Sequence, residues 1–260
     1  MKSIMLSVIA CLMLIIMCVG FAVPAAASGT APIAENLELN TFRNTSVYGA
    51  LSAYDPEGDV ISFEITTKPV KGEIKLEENG TFVYTPVEGK KGRDYFGYKA
   101  LDSEGNFSQE ATVIIKIAKQ NKTMEYADME NEKAEYAAVM LNEKGIFTGE
   151  CIGNKYYFCP DRPVSGAEFT RMCSLVCGED GIVSDATSEA IAKEKATIIL
   201  NDALNLNDVK YIDTERPEVQ ACINLYSVGI CNDIAASEEI LTRETAAIML
   251  AKAIEIIEKR

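Results

Sequence analysis

The 260-residue chain contains no histidine and no tryptophan. Without histidine it lacks the commonest general base at neutral pH and the commonest nitrogen ligand for zinc. Positive charge is scarce: 25 Lys and Arg stand against 39 Asp and Glu, a formal net charge of −14. A chain this acidic repels phosphate backbones, which argues against nucleic acid as a partner and favours cations or a solvated extracellular surface. Catalytic motifs are also missing. There is no Gly-x-Ser-x-Gly, no P-loop, no dinucleotide fingerprint and no His-Glu-x-x-His. Carboxylates are too numerous for counting to bear on a glycosidase pair, and no motif places two across a cleft. The expectation is a protein that is not an enzyme.

Long apolar runs are confined to the start. Lys2 precedes an apolar stretch over residues 4–19, and Ala25-Ala26-Ala27 offers small residues before Ser28. This is the pattern of a signal peptide over residues 1–27, short for a membrane span and ended by Pro24. Met17 stands before Cys18, where a lipoprotein signal needs a small residue. The chain is expected to be exported, with no transmembrane anchor, and its length suggests two domains. Past residue 27 six cysteines remain, all in the C-terminal half: 151, 159, 173, 177, 222 and 231. Cys173 and Cys177 share a helical register with Phe169, Met172 and Val176 and read as small apolar core residues. Disulfides stay open, with Cys151–Cys159 the pair a turn could bring together. A single near pair falls short of a four-thiolate zinc site.

From residue 31 to 118 the pattern is β. Apolar and polar residues alternate in Val60-Ile61-Ser62-Phe63-Glu64-Ile65, in Thr81-Phe82-Val83-Tyr84-Thr85, in Tyr95-Phe96-Gly97-Tyr98-Lys99-Ala100 and over residues 111–117. Clusters such as Asp55-Pro56-Glu57-Gly58-Asp59 and Asp102-Ser103-Glu104-Gly105-Asn106 mark turns. Asn79-Gly80 favours a hairpin, since both residues tolerate positive φ. Roughly seven short strands at this spacing predict an antiparallel β-sandwich. Residues 119–125 form a polar linker.

Helical signals follow. Residues 134–144 carry Ala137, Met140 and Leu141 on one face, with Gly145 placed as a left-handed cap. A loop over 147–163 holds Tyr156-Tyr157-Phe158 as an aromatic plug. Ser165-x-x-Glu168 is a capping box. Pro217 suits a helix start, and Val219, Ile223 and Tyr226 share a face. Thr242 caps a last helix whose stripe runs through Ala247, Leu250, Ile254 and Ile257. Part of this half is duplicated. Ala137, Leu141, Gly145 and Ile146 recur 84 residues later as Ala221, Leu225, Gly229 and Ile230, and Tyr126-x-Asp128 recurs as Tyr211-x-Asp213. Residues 191–200 align with the helix start of the repeat but leave no room for its first half. Repeated helical units bury their faces against one another.

Two resemblances follow from these residues. Ala31-Pro32-Ile33-Ala34-Glu35-Asn36, Ala53-Tyr54-Asp55-Pro56-Glu57-Gly58-Asp59, Gly80-Thr81-Phe82-Val83-Tyr84-Thr85-Pro86 and Asp94-Tyr95-Phe96-Gly97-Tyr98 resemble bacterial Ig-like or cadherin-like modules. That likeness implies spacing, display or adhesion. Some such modules bind calcium through acidic loops, which would make Asp55, Glu57, Asp59 and Asp102 ligands; the alternative is a Pro-Gly turn with solvated acids. The helical order of aromatic-x-Asp, Gly-Ile and a Thr-Arg-x-Glu-like helix start resembles the S-layer homology (SLH) repeat, in units at about 126–177 and 211–258 with a truncated one at about 181–207.

In that family the Thr-Arg-x-Glu corner and a nearby glycine line grooves that hold anionic secondary cell-wall polysaccharide. The resemblance carries the polymer-binding role to Arg243, Thr242, Lys193 and Gly149; the alternative is that Thr242 only caps a helix and Arg243 is a solvated charge. No unit has the corner intact: the first reads Ser165-Gly166-Ala167-Glu168, the middle Ala192-Lys193-Glu194-Lys195 and the last Thr242-Arg243-Glu244-Thr245. Tyr136 replaces the family tryptophan. The fold class expected is therefore multi-domain, an all-β sandwich at 28–118 followed by an all-α domain at 126–260. The function implied is a secreted, cell-wall or cell-surface protein, with other surface proteins as further partners. The alternatives are a secreted interaction module with the repeats as scaffold, and an accessory subunit of a surface enzyme.

Overall fold

A computed structural model describes residues 29–121, 124–130, 132–178, 187–206, 216–232 and 236–259. Residues 1–27, where a signal peptide is expected, and the Tyr211-x-Asp213 anchor lie outside the described residues. The N-terminal half carries nine strands: β1 (Ile33–Ala34), β2 (Leu37–Phe42), β3 (Val47–Ala50), β4 (Ala53–Tyr54), β5 (Ser62–Thr67), β6 (Gly72–Leu76), β7 (Thr81–Pro86), β8 (Gly92–Leu101) and β9 (Ala111–Ala118). One sheet has the order β2-β9-β8-β5 and the other β3-β7-β6, while β1 and β4 pair separately. The expectation of a wholly antiparallel sandwich needs one correction. β2 runs parallel to β9, in register from Leu37↔Val113 to Phe42↔Ala118. Alternation along a strand reports which face is buried, not which neighbour it pairs with.

The sandwich core lies between the two sheets. Phe82, Tyr84, Phe96, Tyr98, Val113 and Ile115 are at most 1% exposed, and Phe82 meets Phe96 edge-on at 5.2 Å. The β6–β7 hairpin forms as expected, but only Gly80 takes a positive φ, of 83°. Asn79 instead accepts from the Thr81 N–H with its side-chain oxygen, at 3.0 Å. The buried Asp94 carboxylate is paired, as burial demands. The Tyr84 hydroxyl donates to Asp94 Oδ2 at 2.8 Å, and the Val70 and Lys71 N–H groups donate to the same carboxylate at 3.0 and 2.7 Å.

The C-terminal half contains α1 (Glu135–Glu143), α2 (Gly166–Cys177), α3 (Lys193–Ala203), α4 (Pro217–Ser227) and α5 (Arg243–Lys259). It is not all-α: β10 (Glu150–Ile152) and β11 (Lys155–Tyr157) form an antiparallel hairpin where the sequence suggested a loop. Its turn places Gly153 and Asn154 both at positive φ, the geometry of a tight two-residue hairpin turn. The aromatic plug reduces to Phe158, 1% exposed, since Tyr156 is 36% exposed. Tyr226 is 51% exposed, so the buried face of α4 is instead Ala221, Cys222, Ile223, Asn224 and Leu225.

The duplication is visible in the backbone. Leu141 O accepts from Ile146 N at 2.8 Å and from Phe147 N at 3.4 Å, and Leu225 O accepts from Ile230 N and Cys231 N at the same two distances. Gly145 and Gly229 supply the left-handed residue each cap needs. A second symmetry joins α2, α3 and α5. Val164 N donates to Leu241 O at 2.9 Å, Leu241 N to Ile191 O at 2.8 Å, and Ile191 N to Val164 O at 3.0 Å, closing a ring of three hydrogen bonds. All three side chains are buried.

The ring is extended outward by the helix starts. The first two N–H groups of α2 donate to Glu189 O and Thr187 O, those of α3 to Glu239 O and Ser237 O, and those of α5 to Arg162 O and Pro160 O, all at 2.8–3.1 Å. Donors that a helix N-terminus leaves orphaned are thus satisfied by the adjoining unit. Ser165 and Thr242 cap the third N–H of α2 and α5, whereas Ala192 leaves α3 without a side-chain cap. The two halves meet at Tyr136, whose ring packs on Phe42 at 5.7 Å while its hydroxyl donates to Glu255 Oε1 at 2.9 Å.

One pH dependence follows. Burial alone would raise the Asp94 carboxyl, but the N–H groups of Val70, Lys71 and Tyr95 and the Tyr84 hydroxyl outweigh it and hold it below the usual value. A carboxyl depressed by folding stabilises above its unfolded pKa and loses that contribution as pH falls through its folded one. Acidification from about pH 5 to about pH 2 is therefore expected to lower the thermal midpoint more steeply in the wild type than in Asp94→Asn. Parallel midpoint-against-pH curves would show that Asp94 contributes nothing.

Candidate functional site

The residues singled out in the helical half separate into an interior pair and a groove. Arg243 begins α5 and turns inward, with its side chain 8% exposed. Its Nη1 donates to Phe158 O at 3.0 Å and Glu150 Oε1 at 3.1 Å, Nη2 lies 3.9 Å from Glu168 Oε1, and the guanidinium covers the Phe147 ring at 4.9 Å. Glu168 therefore faces Arg243 across the unit boundary. The planar, fixed charge of arginine suits this bidirectional clamp. Gly149 lies beside it at φ 77°; a Cβ there would meet Tyr157 O at 2.5 Å and the Tyr126 ring at 2.9 Å. Glycine is required by backbone approach. Asp128, of the aromatic-x-Asp motif, accepts from Phe158 N at 2.9 Å and Cys159 N at 2.7 Å. It fixes the turn on which the Arg243 partner carbonyl sits, a role that sequence spacing did not disclose. Thr242 acts as the cap already described.

Lys193 lies elsewhere, at the edge of a groove of about 780 Å³ between α5, the start of α3 and the segment after α4. Lys133, Lys193 and Lys252 line it, with Glu194, Glu238, Glu239 and Glu244. Lys193 Nζ contacts Glu239 Oε2 at 2.5 Å. Lys252 differs: its Nζ donates to Ile230 O at 3.3 Å and Asn232 Oδ1 at 3.0 Å, both uncharged. Burial pushes the Lys252 ammonium down, Cys231 and Glu255 oppose this, and Lys133 adds to it. A cation that is partly desolvated and held by neutral acceptors gains from an anion entering the groove. None of the six cysteines is in a disulfide, so the Cys151–Cys159 bridge is not formed; Cys151 is exposed and Cys159 partly buried. Cys222 and Cys231 also line the groove.

In the sandwich, Asp55, Glu57 and Asp59 place one carboxylate oxygen each within 4.8 Å of one another. Asp55 Oδ1 accepts from Glu57 N at 2.9 Å and Asp59 N at 3.1 Å, while its buried Oδ2 has no hydrogen-bond partner. An orphaned buried carboxylate oxygen next to two more acids fits a hard cation, for which calcium takes six to eight oxygens. Asp102 stands apart. Its Oδ1 accepts from Glu104 N and Asn106 N at 2.9 and 2.8 Å and its Oδ2 from Asn106 Nδ2 at 2.8 Å, which closes a turn.

Residues 23–119 match the profile of the bacterial cadherin-like domain. The sandwich is a bacterial cadherin-like, Ig-like domain. Among solved structures, the SrpA adhesin of Streptococcus sanguinis is 18% identical, over 40% of this chain and 65% of its own, with a TM-score of 0.31. Human protocadherin-24 EC1-2 is 17% identical over 35% of this chain and 52% of its own, with a TM-score of 0.27. A SusE-like surface-located polysaccharide-binding protein from Bacteroides thetaiotaomicron is 18% identical over 34% of this chain and 14% of its own, with a TM-score of 0.27. The chain spans under a fifth of the first structures it matches, 15% in the case of an endo-fucoidan hydrolase of glycoside hydrolase family 107. No curated protein matches the chain. Among the described residues no helix is long and apolar enough to cross a membrane.

Two outcomes are expected. Arg243→Met should lower stability in urea by about 1.5–3 kcal/mol, the worth of hydrogen bonds to a charged group; an unchanged midpoint would mean the clamp is idle. Calcium at about a hundredfold its Kd should add about 2.7 kcal/mol to the stability of the protein. Asp59→Asn should abolish that gain and Asp102→Asn should retain it, as read by calorimetry with calcium and with chelator.

Proposed function

We propose that the chain is an exported, non-catalytic surface protein whose helical half holds an anionic cell-wall polysaccharide. The groove beside α5 is the polymer site. The observation that carries this reading is Lys252, a half-buried ammonium whose two hydrogen bonds among the described residues go to uncharged oxygens, flanked by Lys133 and Lys193 in one recess. The SLH-like architecture supports it through the duplicated caps and the ring joining three helix starts. Within this reading Lys193 and Lys252 meet the polymer, whereas Arg243, Gly149 and Thr242 hold the fold that presents the groove. The cadherin-like sandwich acts as spacer or adhesive contact and, with calcium at Asp55, Glu57 and Asp59, stiffens.

A second reading rests on the burial of Arg243: with the family's cation turned inward, the helical half is a scaffold and the protein a secreted interaction module. Sedimentation of the full chain with purified cell walls separates the two. The polymer reading expects most of the protein in the pellet, released by high salt, and about a tenfold weaker association for Lys133→Glu/Lys252→Glu. Wild type remaining in the supernatant favours the scaffold.

A further inference from the structure

A second cleft, of about 590 Å³, lies between the sandwich and the helical half. Its volume is that of a small-ligand site. Four segments build it: the β2–β3 turn with Arg43, Asn44 and Thr45, the stretch from Met124 to Glu130, the α1 residues Glu135 and Val139, and the tip of the β10–β11 hairpin. Each wall is fixed by backbone bonding. Arg43 N donates to Ala118 O at 2.8 Å, and Ala127 N donates to Tyr156 O at 2.9 Å. Asn44 holds a left-handed φ of 61° while its Oδ1 accepts from Gly89 N at 2.9 Å.

The lining has a particular chemistry. Tyr156 presents an exposed ring, while the neighbouring Tyr126 is buried against Phe158 at 5.5 Å and anchors that wall. Arg43 and Lys155 supply two cations, and Glu125, Glu130 and Glu135 three carboxylates; Arg43, Lys155, Glu125 and Glu130 are in no ion pair among the described residues, and Glu135 Oε2 accepts from Ser46 N at 3.3 Å. Gln120 donates from Nε2 to Thr45 Oγ1 at 3.2 Å, which ties the linker to the β2–β3 turn. Both signs of charge face the cleft. An anion entering would meet three carboxylates, and a cation would meet a guanidinium and an ammonium. A neutral ligand rich in hydroxyls uses both signs, because guanidinium, carboxylate and carboxamide groups each span two neighbouring hydroxyls. The exposed tyrosine offers an apolar face for a sugar ring.

We infer that this interdomain cleft binds a neutral oligosaccharide, with Tyr156 as the stacking platform and Arg43 and Glu130 as hydroxyl clamps. The site is separate from the lysine groove and takes uncharged sugar units, so the two can engage different parts of a wall. The ligand would touch both halves at once and fix their relative placement.

Titration calorimetry of the full chain tests this, with the N-acetylglucosamine hexamer and maltohexaose as neutral probes and a heparin hexasaccharide as the anionic one. At least one neutral probe is expected to bind, and Tyr156→Ala and Arg43→Met should each weaken it about tenfold or more. Because both side chains line an open cleft, thermal melts of the variants should match the wild type. Lys133→Glu/Lys252→Glu should leave this binding intact, so failure here is distinguishable from failure at the groove. Absence of binding by both neutral probes at about 1 mM, heparin binding alone, or binding indifferent to Tyr156→Ala would each overturn the proposal.

Discussion

Three backbone hydrogen bonds, from Val164 to Leu241, Leu241 to Ile191 and Ile191 to Val164, hold the C-terminal half together. Each spans a large separation in sequence, so none forms until the helices around it are placed. Once closed, the ring buries three apolar side chains and brings each helix start against a neighbour's loop carbonyls. The cost of leaving helix N-terminal donors unpaired is thus removed in one cooperative step. α1 then packs on α5 and α4 on α3, so each outer helix covers a core helix of another unit. The groove exists only because the last helix is positioned by this closure.

Local signals were legible to the extent that they are local. Ser165, Thr242, Pro217 and Gly145 sit at helix ends because their hydroxyls, ring and missing Cβ serve those positions. The strand alternation of residues 111–117 reappears as the buried pattern of β9. What escaped was non-local. Parallel pairing of β2 with β9 depends on sheet order, which alternation does not encode. The β10–β11 hairpin was readable in Gly153-Asn154, a dipeptide suited to consecutive positive φ, but aromatic density drew the reading toward a plug. The candidate site was legible only in outline. Lys193 lines the groove, yet Lys133 and Lys252 come from segments with no motif.

Arg243 shows why a motif residue and a surface residue are different things. Its charge is satisfied by Glu150, the Phe158 carbonyl and the Phe147 ring, and these arrive from the other copy of the repeat. Asp128 makes that possible by pinning Phe158 and Cys159. The aromatic-x-Asp and Thr-Arg elements, far apart along the chain, therefore belong to one structural device. Its product is the interlock between the two copies.

The parallel registry of β2 and β9 has a mechanical consequence. The two strands run the same way, so the chain enters the sandwich near one end and leaves it near the other. Pulling on a tethered protein of this build draws the strands along their length in opposite senses and loads all their cross-strand bonds in shear. Such a joint yields only when the whole row gives way, whereas antiparallel partners pulled apart at one end would unzip pair by pair.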